Sequence, residues 1–359
     1  MLDNYGHTHA EKTKASFQDL VTKVDTGNQN MIKSFMEERY PTHALLGEED
    51  VEFGKDLEAV DAVSDKEWVW IVDPLDGTTN YVYSLPLSVV SICVTHNEMP
   101  VIGVVYHPYL DEMYTAIKGH GSQLNGKPIH VRSDATLHES VVGYAMNYMA
   151  PIRHAMMRGV SAVGDYALSM RSVGSAALHL AWVAAGRLTA YWELGLHPWD
   201  VSAGCLLIQE AGGRAGSTRG EDYNVRVLDT IGTNGMIHDE MLRVLKEAHA
   251  DRVDSSDCDV CFGDCIGESS VSHYFRISAG FTPIIPFLLF LTTESNRGIF
   301  PLESIQIFLT GFCFDDHLLS FRRIGPSWRS EFILLQSVLA FANIKFPVST
   351  FALLLVHRQ

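Results

Sequence analysis

Two aspartates, Asp73 and Asp76, follow a short apolar run, and their type and spacing could bind a metal ion. The run, residues 68–72 (WVWIV), is rich in β-branched and aromatic residues, as a buried strand is. Gly77 and Thr78 come next and could open a helix with free backbone N–H groups, which suits a phosphate. Carboxylates suit Mg2+. The stretch therefore predicts phosphoryl chemistry, although the same residues also fit an ordinary turn.

Two further segments carry acidic residues at the ends of apolar runs. Upstream, residues 44–50 (ALLGEED) place Glu48 directly after a glycine. Downstream, Glu193 closes another apolar run, and Asp200 precedes an apolar stretch that ends at the glycine pair 212–213. Asp200 is predicted to be the N-cap of a helix that the glycines terminate. Taken singly, the first segment also fits a solvated acidic loop and the second a plain capped helix.

The three segments together, in this order, resemble the inositol monophosphatase family. Its pattern contains GEE, then DPxDGTxN, then WDxxAGxxLxxEAGG, and this sequence has all three at residues 47–49, 73–80 and 199–213. The resemblance extends from about residue 14 to about residue 248. It implies an α/β fold, more specifically an α+β layered sandwich, and hydrolysis of a small phosphate monoester that depends on Mg2+ and is inhibited by Li+.

The resemblance also implies a set of metal ligands. Glu48, Asp73 and the backbone carbonyl of Leu75 match a first Mg2+ position, whereas Asp73, Asp76 and Asp200 match a second. Asp73 would therefore bridge the two cations. Two metal ions can clamp the attacking and leaving oxygens of a phosphate ester, and this is the chemistry implied here.

The groups that would activate water are implied in the same way. The Thr78 hydroxyl and Glu48 would orient the attacking water, and Asp25 would support Thr78. From the residues alone, Asp25 equally fits a helix N-cap before residue 28. The backbone N–H groups of Gly77 and Thr78 would bind the phosphate.

Substrate contacts are implied at Glu193, Asp76, Asp200, the backbone of Ala176, and Lys14. Glu193 matches the residue that binds inositol hydroxyls, and Lys14 matches a basic residue near the phosphate. Lys14 also fits a flexible surface lysine. The substrate with the strongest support is myo-inositol 1-phosphate. Histidinol phosphate, a sugar bisphosphate and a nucleotide 3′-phosphate remain alternatives, and a metal-binding scaffold without turnover is an alternative of another class.

Several elements must position these residues. Helical periodicity predicts a helix over residues 28–39, and the Ala-rich stretch 174–185 predicts a buried helix. The Asn125-Gly126 pair predicts a hairpin. Strand-like runs are predicted at residues 87–94, 101–106, 113–117, 141–146 and 188–192.

Composition divides the chain near residue 250. Of its 17 phenylalanines, 14 follow that point, as do four of the six cysteines. Residues 1–250 are therefore predicted to be the catalytic domain. Residues 251–359 are predicted to be an atypical, hydrophobic tail that is either disordered or an artefact of the gene model. The net charge of −16 argues against a nucleic-acid surface.

The N-terminus is short and polar. Only 13 residues precede Lys14, so the first helix expected from the resemblance is predicted to be truncated. There is no apolar signal segment, which predicts a cytoplasmic protein. Apolar stretches in the tail fall short of the roughly 20 residues that a membrane span needs. The resemblance further implies a homodimer.

Overall fold

The computed structural model describes residues 1–6, 12–13, 20–52, 54–253, 288–293, 304–310 and 318–322. The chain divides into two compact units, Met1–Phe262 and Gly263–Gln359, each of which is described by itself. Lys14 lies outside the described residues, and so does most of the predicted tail.

The first unit begins with a short strand pair and a seven-stranded sheet. Strands β1 and β2, Lys12–Thr13 and Leu20–Val21, pair antiparallel. The large sheet runs in the order β3-β4-β5-β6-β7-β8-β9 and is antiparallel except for the parallel pair β3–β4. Its strands are β3 Ala44–Gly47, β4 Trp68–Asp76, β5 Val89–His96, β6 Met99–His107, β7 Glu112–Ile117, β8 Ser122–Leu124 and β9 Lys127–Ile129.

A five-stranded mixed sheet follows. Its order is β11-β10-β12-β14-β13, with β10 parallel to both β11 and β12 and the other pairs antiparallel. The strands are β10 Val141–Tyr144, β11 Ser169–Arg171, β12 Ala190–Glu193, β13 Arg214–Ser217 and β14 Thr230–Thr233.

Seven helices complete the described part of this unit, apart from single 3-10 turns. They are α1 Lys23–Arg39, α2 Asp56–Val63, α3 Thr78–Val82, α4 Ala150–Gly164, α5 Ala176–Ala184, α6 Pro198–Glu210 and α7 His238–Glu247. Helices α5 and α6 are buried on nearly every side and pack against strands of both sheets. One apolar core joins the large sheet, α5, α6 and one face of the smaller sheet, and a second core lies under α4 and α7. The layered α+β sandwich is therefore confirmed.

The predicted elements are mostly present, with shifted ends. The hairpin at Asn125-Gly126 is confirmed: both residues have positive φ, and Leu124 pairs with Lys127 across the turn. The helix predicted over residues 28–39 is wrong at its start, because α1 begins at Lys23. Thr22 caps that helix, and its hydroxyl accepts a hydrogen bond from the Val24 N–H at 3.1 Å.

The packed part of the first unit extends at least to Asp251. Ala250 is fully buried, and the carbonyl oxygen of Asp251 accepts a hydrogen bond from the Thr218 hydroxyl at 2.8 Å. Residues through Asp251 therefore pack in the first unit. The division near residue 250 and the nature of the tail remain predictions.

The second unit contains three described strands. They are β15 Leu288–Thr293, β16 Ser304–Thr310 and β17 Leu318–Arg322, and they form an antiparallel sheet in this order. In the parts of the chain that the structure describes, no helix combines the length and apolar character needed to cross a bilayer.

Candidate active site

The last residues of β4 include Asp73 and Asp76, which therefore lie at the same end of the large sheet. The pairing of β4 with β5 shifts register between these two aspartates, so successive side chains of β4 do not alternate regularly between the two faces of the sheet there. Both side chains are buried, and the Leu75 N–H donates to Asp73 Oδ1 at 2.9 Å. Gly77 then adopts φ +87°, and a Cβ there would lie 3.0 Å from the Leu87 carbonyl oxygen. Only glycine fits this position comfortably.

Asp25 is placed beside Thr78, 53 residues away in sequence. The Thr78 hydroxyl lies 3.0 Å from Asp25 Oδ1 and 3.1 Å from the Leu75 carbonyl oxygen. The other carboxylate oxygen of Asp25 accepts from the backbone N–H and the hydroxyl of Thr22, at 2.9 and 2.5 Å. Asp25 is the third residue of α1, so the N-cap alternative is wrong: Thr22 is the N-cap, and Asp25 completes its capping box and also contacts Thr78.

Asp76 is held by the start of α5. Its Oδ2 accepts from the Ser175 hydroxyl and from the Ala177 N–H, both at 2.7 Å. Ser175 is the N-cap of this helix, and Ala176, the predicted substrate contact, occupies its first position. Burial and the nearby charge of Asp200 raise the pKa of Asp76 to about 7, although both hydrogen bonds oppose the shift.

Asp200 is the third residue of α6, so its prediction as the N-cap was wrong. His197 is the N-cap, and its backbone N–H donates to Asp200 Oδ2 at 2.8 Å in a capping box. The His197 ring forms an ion pair with Asp56 at 2.8 Å. Burial disfavours the charged imidazole and so lowers the pKa of His197. The hydrogen bond to Asp56 and the negative charges of Asp200 and Asp56 have the larger combined effect and raise this pKa to about 9. Burial raises the pKa of Asp200 to about 6, with the charge of His197 acting against it.

Glu193 is the last residue of β12 and is buried. The hydroxyl of Tyr191 donates to its Oε2. Burial raises the pKa of Glu193 to about 8, the hydrogen bond from Tyr191 lowers it, and the charges of Asp200 and Asp76 add to the rise. Glu193 therefore lies within electrostatic reach of Asp200 and Asp76, and its role as a substrate contact remains a prediction.

Glu48 begins a single 3-10 turn, Glu48–Asp50, directly after β3. The buried Gln29 side chain of α1 accepts from the Glu49 N–H at 3.0 Å and fixes this turn. A Cβ on Gly47 would lie 2.5 Å from Gln29 Oε1, so the glycine makes room for this contact. The charge of Glu48 contributes to the raised pKa of Asp25 and of Asp73.

Sequence reasoning missed the residues that hold the acidic side chains in place. These are Gln29, Asp56, Ser175 and Tyr191. Gln29, Asp56 and Ser175 lie on elements far from their partners in sequence, whereas Tyr191 is on the same strand as Glu193; a single sequence carries no signal that pairs them. Lys14, the remaining predicted site residue, lies outside the described part of the chain.

The carboxylates repel one another strongly. Burial raises the pKa of Asp73 well above its usual range, and Glu48, Asp76 and Asp200 add to this.

Across the residues that the structure describes, no group of three or more His, Cys, Asp or Glu side chains could hold a metal ion as it stands. The donor set nevertheless suits a hard divalent cation. Oxygen ligands are what Mg2+ prefers, and a cation would remove the cost of keeping these groups ionised.

This layered fold also occurs in known enzymes. The solved structure of the IMPase from Thermotoga maritima superposes with a TM-score of 0.61 at 29% identity, covering 69% of this chain and 91% of that one. In sequence, inositol monophosphatase 3 from Solanum lycopersicum is 36% identical over 232 residues, 64% of this chain and 85% of the relative. A fructose-1,6-bisphosphatase/inositol-1-monophosphatase from Thermotoga maritima is 31% identical over 249 residues, 69% of this chain and 90% of the relative.

The fold and these relatives identify a phosphatase, which is a hydrolase. The model of the inositol monophosphatase family matches residues 3–253, which is most of the chain. The chain belongs to the inositol monophosphatase family.

Proposed function

We propose that the chain is a Mg2+-dependent phosphomonoesterase that hydrolyses myo-inositol 1-phosphate to myo-inositol and phosphate. The observation that carries this proposal is the contact between Asp25 and Thr78. It joins two segments 53 residues apart, and the hydroxyl lies just beyond the end of β4, which contains Asp73 and Asp76. The capping box of α1 uses Asp25 Oδ2, and Oδ1 is the oxygen that faces the Thr78 hydroxyl.

The metal ligands are proposed from the same centre. Glu48, Asp73 and the Leu75 carbonyl would hold one Mg2+, and Asp73, Asp76 and Asp200 would hold the other. Bound Mg2+ would supply charge neutralisation on the phosphate and lower the pKa of a bound water. The raised pKa values of Asp76, about 7, and Asp200, about 6, support this assignment, because each carboxylate is costly to ionise without a cation.

The chain's own groups would orient the reactants. A Thr78 hydroxyl that donates to Asp25 keeps its oxygen lone pairs available, so it can accept a hydrogen bond from the attacking water. Glu48 would be the second acceptor for that water. The backbone N–H groups of Gly77 and Thr78 would donate to the phosphate oxygens, and the left-handed conformation of Gly77 turns the backbone towards α3.

Glu193 is proposed to recognise the inositol hydroxyls. Its burial at the end of β12 and its electrostatic coupling to Asp76 support a place beside the phosphate site. Ala176 and Asp200 are proposed to line the same pocket, and Lys14 to contact the phosphate. Inhibition by Li+, a homodimer and a cytoplasmic location are also proposed, on the resemblance alone.

A panel of phosphate esters tests this function. We expect phosphate release from inositol 1-phosphate to exceed release from histidinol phosphate and from a nucleotide 3′-phosphate. Glu193→Gln should reduce kcat/KM for inositol 1-phosphate roughly 10- to 100-fold, because a buried polar pair is lost, and affect glycerol 2-phosphate much less. Glu49→Gln is the matched control, since Glu49 has no assigned role. Equal losses on both esters would remove Glu193 from recognition.

One relative favours a second candidate substrate. The Thermotoga maritima protein named as a fructose-1,6-bisphosphatase/inositol-1-monophosphatase makes a sugar bisphosphate the main rival. A metal-binding scaffold without turnover is the rival of another class. If the chain binds Mg2+ but releases no phosphate from any ester of the panel, the scaffold is the correct assignment.

A further inference from the structure

His179 is a buried histidine of α5 that the proposed chemistry does not use. It lies one turn beyond Ser175, the N-cap of the helix, and its side chain is fully buried. Two backbone groups fix its ring. Nδ1 lies 2.7 Å from the Ser175 carbonyl oxygen, and Nε2 lies 3.2 Å from the Val173 nitrogen. The ring therefore spans residues 173–175, which we call the 173–175 turn.

These two backbone partners determine which nitrogen of the ring carries the proton. A backbone N–H can only donate and a carbonyl oxygen can only accept, so Nε2 is the acceptor and Nδ1 is the donor. Burial lowers the pKa of His179 to about 4, although hydrogen bonds to the backbone of Ser175 and Arg171 raise it. The imidazole is therefore neutral at pH 7, in the one tautomer that satisfies both partners.

The two ring hydrogen bonds are not equivalent. The Ser175 carbonyl oxygen also accepts from the His179 backbone N–H at 3.2 Å, as expected within a helix. Within the described part of the chain, Nε2 of the ring is the acceptor for the Val173 N–H. Loss of Nε2 would leave this half-buried N–H unsatisfied, which is costly. The bond to Val173 is therefore the one on which the shape of the 173–175 turn depends.

The 173–175 turn is attached to the acidic centre at two places. The Ser175 hydroxyl donates to Asp76 Oδ2 at 2.7 Å, and the Asn80 side chain of α3 donates to the Val173 carbonyl oxygen at 2.7 Å. Gly174 has φ +70°, and a Cβ there would lie 3.2 Å from Asn80 Nδ2, so the turn and α3 are in close contact. A shift of the turn would therefore displace both a proposed metal ligand and α3.

The ring of His179 also packs on the strand that carries Glu193. It stacks on the ring of Tyr191, with centroids 4.5 Å apart and 15° between the planes, and the Tyr191 hydroxyl donates to Glu193. On the neighbouring strand, a Cβ on Gly143 would lie 2.7 Å from His179 Cδ2 and 3.2 Å from Tyr191 Cδ2. The glycine of β10 therefore leaves the space that the stacked pair occupies.

We propose that His179 is a positioning residue for the metal centre, because its Nε2 holds the 173–175 turn in the shape that aims the Ser175 hydroxyl at Asp76. Both ring hydrogen bonds go to backbone groups outside the proposed ligand set, so His179 acts on the metal only through this turn. The inference rests on the proposed function, where Asp76 is assigned to Mg2+. Changes at His179 should weaken Mg2+ binding.

Three replacements separate the two ring hydrogen bonds. His179→Gln places its carboxamide oxygen as far along the side chain as Nε2 and can accept from the Val173 N–H. His179→Asn reaches only as far as Nδ1 and can keep the bond to Ser175. His179→Phe keeps a ring against Tyr191 but loses both bonds. In calorimetric titration, Mg2+ affinity should fall roughly tenfold or more in the Asn and Phe variants, and should stay within roughly threefold of wild type in the Gln variant.

Val183→Ala is the matched control for a loss of packing in the same helix. Val183 is fully buried one turn beyond His179 on α5. Its truncation should lower the melting temperature, because apolar contacts are lost, but should leave Mg2+ affinity unchanged. If Val183→Ala weakens Mg2+ binding as much as His179→Phe does, the effect of His179 is general destabilisation and the positioning role is overturned.

The remaining outcomes are equally decisive. Mg2+ affinity that is unchanged in the Asn and Phe variants, or lowered equally in all three variants, would overturn the role of Nε2. If circular dichroism shows that His179→Phe does not fold, the comparison of Gln with Asn decides. Phosphate release from inositol 1-phosphate is measured in parallel. A wild-type chain that binds Mg2+ but releases no phosphate refutes the proposed function, while the titrations still decide the role of His179. A wild-type chain that binds no Mg2+ refutes both.

Discussion

Replacing Thr78 by valine removes the hydroxyl but keeps the shape of the side chain. The hydroxyl lies 3.0 Å from Asp25 and 3.1 Å from the Leu75 carbonyl oxygen, so the change deletes a hydrogen bond to a buried carboxylate. Asp25 keeps its contacts to Thr22 and stays anchored. A hydrogen bond to a charged group contributes about 1.5–3 kcal/mol. At about 2–4 °C per kcal/mol, the melting temperature should fall by roughly 3–12 °C.

The effect on turnover should be much larger than the effect on stability. Positioned groups that assist proton transfer contribute about 10²- to 10⁴-fold, and Thr78→Val should lose turnover in that range. Thr78→Ser keeps the hydroxyl and should remain within roughly tenfold of the wild-type chain. The assay is phosphate release from inositol 1-phosphate at saturating Mg2+, with thermal unfolding followed by circular dichroism. Turnover of Thr78→Val within a few-fold of wild type, or equal losses in both variants, would refute the role of the hydroxyl.

Further changes test the backbone, the protonation state and the domain boundary. Gly77→Ala should lower the free energy of unfolding, measured with denaturant, by roughly 1–3 kcal/mol more than Gly119→Ala does. Both glycines have positive φ, but only at Gly77 would the added Cβ meet neighbouring atoms. Burial and the positive charge of Arg214 lower the pKa of His238 in the folded chain to about 4. As the pH falls below about 6.5, the unfolded chain therefore binds a proton that the folded chain does not, and the free energy of unfolding decreases. His238→Gln should therefore lose less stability between pH 7 and pH 5 than wild type does. A chain ending after Val253 should fold and keep its Mg2+-dependent phosphatase activity. Loss of both would make the tail part of the domain.

The sequence predicted that Asp73 and Asp76 lie at the end of a strand, because a short apolar run directly precedes them. Asp73, Asp76 and Gly77 fall within a stretch of five residues, and the apolar run before them could only be a strand or a buried helix. Asp200 was placed on the correct helix but at the wrong position. Histidine is an uncommon N-cap, and the capping box that moves Asp200 to the third position depends on His197, whose ring is held by Asp56.

The contacts that support the centre could not be predicted, because they depend on packing between distant elements. Ser175 binds Asp76 across 99 residues, and Gln29 reaches the turn after Glu48 from the middle of α1. The early start of α1 has a related cause: Thr22 and Asp25 form a capping box, whereas the apolar pattern of the helix becomes visible only from residue 28. Polar pairs of this kind leave no periodicity in the sequence.

The most direct measurement is phosphate release from inositol 1-phosphate during removal and return of Mg2+, in the wild-type chain and in Asp73→Asn. Chelator should abolish release, and added Mg2+ should restore it in the wild-type chain but not in Asp73→Asn. In the absence of divalent ions, Asp73→Asn should be the more heat-stable protein, because it removes a buried charge whose pKa is strongly raised. Full activity in excess chelator, or near-normal turnover of Asp73→Asn, would contradict a catalytic centre built on these carboxylates.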